Sequence, residues 1–267
     1  MIRITVQNGG TVKASSSENA EHLVYAPEYR KGDEICVEVS EPGFYKIRLE
    51  DTMLPALVYI ESKARFPIPF GVLRAGYSPR SFLGKRHLIE AKPADAEEVH
   101  RTRDLAFNPY DTGAETGMKP HISTNVRYPQ SLRNRIFPDI GLFAARNVID
   151  GICASESHRL YPHHSWGINR MADAYLELEL PGSCEVDEVI LTLRAEFPHD
   201  TYWTQALLEF SGPECHEEKI IRLEKTGEEQ HFAIGLKGVT KVVLKDLKKA
   251  DEPSEFPALS QLQIIGR

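Results

Sequence analysis

The sequence predicts an all-β protein of two β-sandwich domains. Short runs of alternating apolar and polar residues recur along the chain. Turn residues separate them at roughly ten-residue spacing, as in small sandwiches. Segments with the 3.6-residue period of an amphipathic helix are nearly absent. With 267 residues the chain is long enough to bury two cores.

Residues 1–100 read as a small N-terminal sandwich. Ile2–Val6 alternates with period two and meets the turn Asn8-Gly9-Gly10. A polar turn, Tyr29–Asp33, precedes the strand Glu34–Val39. Glu41-Pro42-Gly43 turns the chain into Phe44–Leu49, and Pro55–Ile60 and His87–Ala91 are further strands. Ala94–Arg103, rich in Ala, Glu and Arg, fits a short helix or linker turn at the domain boundary.

Residues 101–267 read as a second sandwich. His121–Val126 is a strand, and the polar, proline-punctuated stretch 127–140 a surface insertion. Ala174–Leu180 alternates cleanly and is expected to end at Pro181-Gly182, before a separate strand Val186–Leu193. Ala206–Phe210, Lys219–Leu223, His231–Ile234, Thr240–Lys245 and Leu262–Ile265 complete the set. Short loops between so many strands suit a sandwich or jelly roll.

Composition excludes several classes of function. Net charge is −7 and the pI about 5.8, which argues against a nucleic-acid partner, since that needs a basic stripe. No run of about 20 apolar residues is present, so no membrane-spanning helix is predicted. The start, Met-Ile-Arg-Ile-Thr-Val, lacks the pattern of a signal peptide. A cytoplasmic protein is expected, the alternative being a secreted mature form whose signal has been removed. Cys36, Cys153, Cys184 and Cys215 show neither zinc spacing nor close pairs, so free and mostly buried thiols are expected.

The residues richest in chemistry crowd between Asn147 and Trp203. Both tryptophans lie there, with His158, His163, His164 and His199. The predicted ligand is a carbohydrate, bound without catalysis by loops 158–173 and 194–203. Tyr202 and Trp203 alternate in direction, so one faces the core and the other offers a ring to a sugar. Arg194, Glu196 and Asp200, with His199 beside them, supply planar groups for hydroxyls; the alternative is an ion-pair network that pins the loop. Adjacent His163 and His164 point apart, so one faces the site. Asn169 and Asp173 bond hydroxyls or close a turn.

Other readings use the same residues. His163 or His164 with His199 and Asp200 would suit zinc if the loops meet, although no short ligand spacing supports this. Glu156, Glu196 and Asp200, with His199, are acid–base candidates for a glycan hydrolase or lyase. No GxSxG, P-loop or dinucleotide fingerprint is present. A protein-interaction or structural module, including one that pairs as a homo-oligomer, is the third reading.

The second half resembles the discoidin-like domains, also called coagulation factor 5/8 type C domains. Their glycan-binding members include family 32 carbohydrate-binding modules. The resemblance rests on Arg103-Asp104-Leu105-Ala106, on Ala145–Gly151 with Trp166 after it, on Tyr175–Gly182, and on Phe256–Gly266. The blocks Ser165–Asn169 and Phe197–Asp200 are similar to a group of bacterial proteins described as carbohydrate-binding. The resemblance implies a galactose-binding-like jelly roll. It implies that Trp166 packs at the edge of the core, with sugar stacking as the alternative. It also implies a calcium site at the Asp150-Gly151 loop, using carbonyl oxygens and the Asp150 carboxylate. The chain departs from the pattern in carrying Gln261 and Gln263 where family members often have glutamates. It also has no cysteine near residue 105 or 265 for the disulfide many members carry.

Overall fold

A computed structural model describes residues 1–127, 139–154, 160–195 and 201–267. The chain is all-β, about 50% strand and 7% helix, in antiparallel sheets.

In the first half, β1 (Ile2–Asn8), β2 (Thr11–Ser15), β4 (Asp33–Val39) and β7 (Lys63–Pro67) form one sheet in the order β2-β1-β4-β7. β3 (His22–Tyr25), β5 (Gly43–Arg48), β6 (Ala56–Ile60), β8 (His87–Pro93) and β10 (Met118–Lys119) form the other, in the order β10-β6-β5-β8-β3. Ile4, Val6, Ile35 and Val37 from the first sheet pack with Ile47, Val58, Ile60 and Ile89 from the second. The alternation read from β4 and β6 reflects this packing, because every second side chain enters the core.

β2, β3 and β7 were not expected from the sequence. They are edge strands or short ones, and each exposes residues that a buried strand would hide. The helix expected near the boundary is a single short one, α1 (Ala96–His100). Asp95 caps it by accepting the Glu98 N–H at 2.7 Å.

The second half holds β9 (Arg103–Asp104), β11 (His121–Thr124), β12 (Trp166–Gly167) and β13 (Leu176–Arg194). It continues through β14 (Trp203–Gly212), β15 (Cys215–Arg222), β16 (Gln230–Lys249) and β17 (Ala258–Gly266). The expectation that Pro181-Gly182 ends a strand is corrected: β13 runs through it for 19 residues. Its partner β16 likewise joins the two strands expected at 231–234 and 240–245 into one of 20 residues. Register shifts between Glu179 and Cys184 mark where the pair bends. Before the bend β13 pairs with β11, and after it with β17. One bent pair thus serves both layers, as strands do at sandwich corners. Backbones press together there: a Cβ on Gly212 would lie 1.9 Å from the Gly238 carbonyl oxygen.

The core of this half joins Leu176, Leu178, Val189, Leu191, Leu208, Phe210, Val242, Leu262 and Ile264. The cysteines are unpaired, with Cys36, Cys184 and Cys215 buried and Cys153 exposed. Among the described residues no helix is long and apolar enough to cross a membrane.

Candidate functional site

The bend in β13 and β16 brings the far ends of both layers to one rim. Gly167 of β12 pairs with Ala258 of β17, and Ala258 pairs with Arg194 at the end of β13. Trp203 opens β14 opposite Lys249. The layers meet where the rings of Trp166 and Trp203 lie 6.0 Å apart. Trp166 and Gly167, Arg194, and Trp203 are therefore neighbours at one end of the sandwich.

The indoles do not face solvent there. Trp166 and Trp203 are each 1% exposed and belong to the core. Trp166 packs in the core, as the resemblance implied, while sugar stacking by Trp203, or by Trp166 as the alternative, is corrected, because a core indole has no open face. His163, His164 and Arg194 are also buried. Tyr202 is half-buried, and its carbonyl accepts the Ala250 N–H at 3.0 Å. Asn169 is half-buried with φ +48°, and its side-chain amide donates to the Arg127 carbonyl at 3.1 Å. This bond ties the segment after Trp166 to residue 127. Glu156, His158, Glu196, His199 and Asp200 lie outside the described residues. The acid–base and zinc readings that need them therefore gain no geometry.

The Ala145–Gly151 motif is an internal staple. Ala145–Ile149 is a 3-10 turn with every residue buried. Asn147 donates through Nδ2 to the carbonyls of Gly141, Leu142 and Ser165 at 2.9, 3.0 and 3.1 Å. Arg146 reaches from it into the first half. Nε donates to the Asp111 carbonyl at 3.0 Å, and a terminal nitrogen to the Gly76 carbonyl at 3.1 Å. Its guanidinium lies over the Tyr77 ring at 4.2 Å.

Asp150 closes the staple. One oxygen accepts the Ile152 N–H at 3.0 Å, and the other is 2.9 Å from His164 Nε2 and 3.6 Å from Arg146. A calcium ion needs six to eight oxygen ligands. The donor set at Asp150 is a single carboxylate already facing a guanidinium and an imidazole. A carboxylate held between a guanidinium and an imidazole is a poor fit for a calcium ligand.

The groups that the rim does expose were not picked out from the sequence as binding residues. Phe256 is 44% exposed. The Arg170 guanidinium lies 4.7 Å from its ring centroid and pairs with Glu255 at 2.6 Å. Tyr175 is exposed nearby in sequence to Asp173, whose carbonyl accepts from Asn125 at 2.8 Å. The available signal was the setting of Phe256: an aromatic in a proline-flanked polar loop, Glu252–Pro257, has little core to enter.

No family model matches the chain, and no curated protein matches it. Among solved structures it is similar to a module from Clostridium perfringens in complex with GalNAc-β-1,3-galactose. Identity is 17%, coverage 54% of this chain and 92% of that one, and TM-score 0.40. It is similar to the lectin domain of lectinolysin complexed with Lewis B antigen, at 13% identity, 61% and 95% coverage and TM-score 0.42. It is also similar to a family 32 carbohydrate-binding module of C. perfringens in complex with galactose, at 12% identity, 54% and 91% coverage and TM-score 0.38. Each sugar is the ligand of the protein named.

Proposed function

We propose that the protein binds carbohydrate, without catalysis, at the rim formed by residues 167–175 and 250–258. The observation that carries this is the Phe256 side chain, 44% exposed, with the Arg170 guanidinium over one face of its ring and paired to the Glu255 carboxylate. A flat apolar face suits the C–H-rich side of a pyranose, and planar charged groups suit its hydroxyls. Half-buried Tyr202 and Asn169 border the same rim, which retains part of the expected residue set. The ligand contacts move outward from the indoles to the residues that meet solvent.

Calorimetric titration with galactose- and N-acetylgalactosamine-terminated oligosaccharides, backed by a glycan array, tests this. Phe256→Ala and Arg170→Ala should each weaken binding about tenfold, the effect of roughly 1.4 kcal/mol. Retention of full affinity in both variants, or silence across the whole array, overturns the proposal.

A second reading, a structural module, is favoured by one observation. Arg146, Asn147 and Asp150 direct their polar groups inward, to Asp111, Gly76, Leu142 and Ser165. This part of the chain joins the two halves, so a rim that binds no glycan would leave joining as its role.

A further inference from the structure

The first sandwich carries a cluster that the carbohydrate reading does not use. β5 and β8 are neighbours, with Arg48 opposite Glu90. The chain leaving β5 therefore sets Glu50 and Asp51 beside His87, the first residue of β8. The Leu88 N–H approaches Asp51 Oδ2 at 3.4 Å. One ligand atom each from Glu50, Asp51 and His87 lies within 4.8 Å of the others.

Several features set this apart from a chance group of acids. Glu50 is 2% exposed, and its Oε2 has no hydrogen-bond partner. A buried carboxylate oxygen in that state is costly unless a cation or a proton meets it. Among the described residues neither Glu50 nor Asp51 has a lysine or arginine within ion-pair distance. His87 is 3% exposed, and its Nε2 is 3.1 Å from the Gly84 carbonyl oxygen. A carbonyl only accepts, so Nε2 carries the hydrogen, and in the neutral ring Nδ1 keeps the lone pair. A ligating imidazole commonly donates its other N–H to a backbone carbonyl in this way. Tyr29 holds the ring in place, their centroids 4.2 Å apart, and Tyr25 stacks on Tyr29 at 5.1 Å. Asp51 lies on the exposed side and gives an ion a route in.

We infer that Glu50, Asp51 and His87 form a binding site for a divalent cation of borderline softness, with Zn2+ as the first choice. Two carboxylates and one imidazole match that ion better than calcium, which takes oxygen ligands alone. Solvent would complete the coordination on the Asp51 side. Occupancy would pin the ends of β5 and β8 together.

The test is titration of the full chain, stripped with chelator, with ZnCl2, read by calorimetry and thermal melting. One equivalent should bind and raise the melting temperature. Asp51→Asn alters an exposed side chain and should fold normally while weakening Zn2+ binding by about tenfold or more. His87→Gln should do the same, and Asp51→Asn keeps the test intact if His87→Gln fails to fold. Absence of stoichiometric binding, or equal binding by wild type and Asp51→Asn, overturns the assignment, since the ion then sits on other groups. Neither outcome bears on the Phe256 rim, which lies in the other sandwich.

Discussion

Arg146 holds a positive charge where solvent does not reach, and all three of its guanidinium nitrogens are occupied. They donate to the carbonyls of Asp111, Gly76 and Pro109 and to the Asn147 side-chain oxygen. Burying a charge is unfavourable unless such bonds replace its hydration. Removing part of the fork strands several carbonyls at once. Arg146→Lys keeps the charge but not the planar geometry and should destabilise the protein by about 2–4 kcal/mol. Urea unfolding reads this directly, and a change below about 1 kcal/mol would mean the bonds are redundant. The tryptophans show the same limit of residue-level inference. Alternation said that one of Tyr202 and Trp203 turns inward, and Trp203 does. It could not say that Trp166 meets Trp203 inside, because that contact depends on how two layers close.

At the scale of elements, β9 is short, yet it fastens the edge of the second sheet through Asp104. Its Oδ1 accepts the N–H groups of Ala106 at 2.9 Å and Ile264 at 3.0 Å. Burial pushes this carboxyl up to about 6 from 3.8, against the pull of those N–H groups. A raised carboxyl pKa means that the folded state holds its proton more tightly. That stability is complete below about pH 3.8 and is lost as pH rises through about 6. Asp104→Asn keeps the accepting oxygen and removes the charge. It should therefore be more stable than wild type at pH 7, by up to about 3 kcal/mol, with the gap closing toward pH 4. Thermal melts across that range check the sign, and a variant less stable at pH 7 would refute the account. The strands themselves were legible where one face is buried, as in β4, β6 and the first half of β13. Edge strands were not, because a partly exposed strand carries no clean alternation. Pro181-Gly182 misled for a different reason: the residues that make a turn also make a corner.

The whole molecule divides into two cores, but the chain does not part cleanly between them. Leu105, Ala106 and Ile122 belong to the second core, while Tyr110 and Met118 belong to the first. The Tyr110 hydroxyl donates to the Leu54 carbonyl at 2.9 Å, and Met118 pairs with Ile60. A boundary at residue 100 therefore leaves the first sandwich without β10 and two buried side chains. Fragment 1–120 should be more stable than fragment 1–100 by about 2–4 kcal/mol, given the apolar surface Tyr110 and Met118 bury. Comparing their denaturant midpoints tests this, and equal midpoints would place the boundary where the sequence suggested.

Period-two alternation and turn chemistry were enough to determine the all-β class and the position of most buried strands. Those signals are local and need no knowledge of a partner. Only the tertiary structure decided that Pro181-Gly182 is a corner, that both indoles are sealed, and that Asp150 faces Arg146 and His164. It also decided that Glu50, Asp51 and His87 meet, although 36 residues separate Asp51 from His87 in the chain. Such outcomes depend on which layers close on which, and long-range packing sets that where residue type and spacing do not.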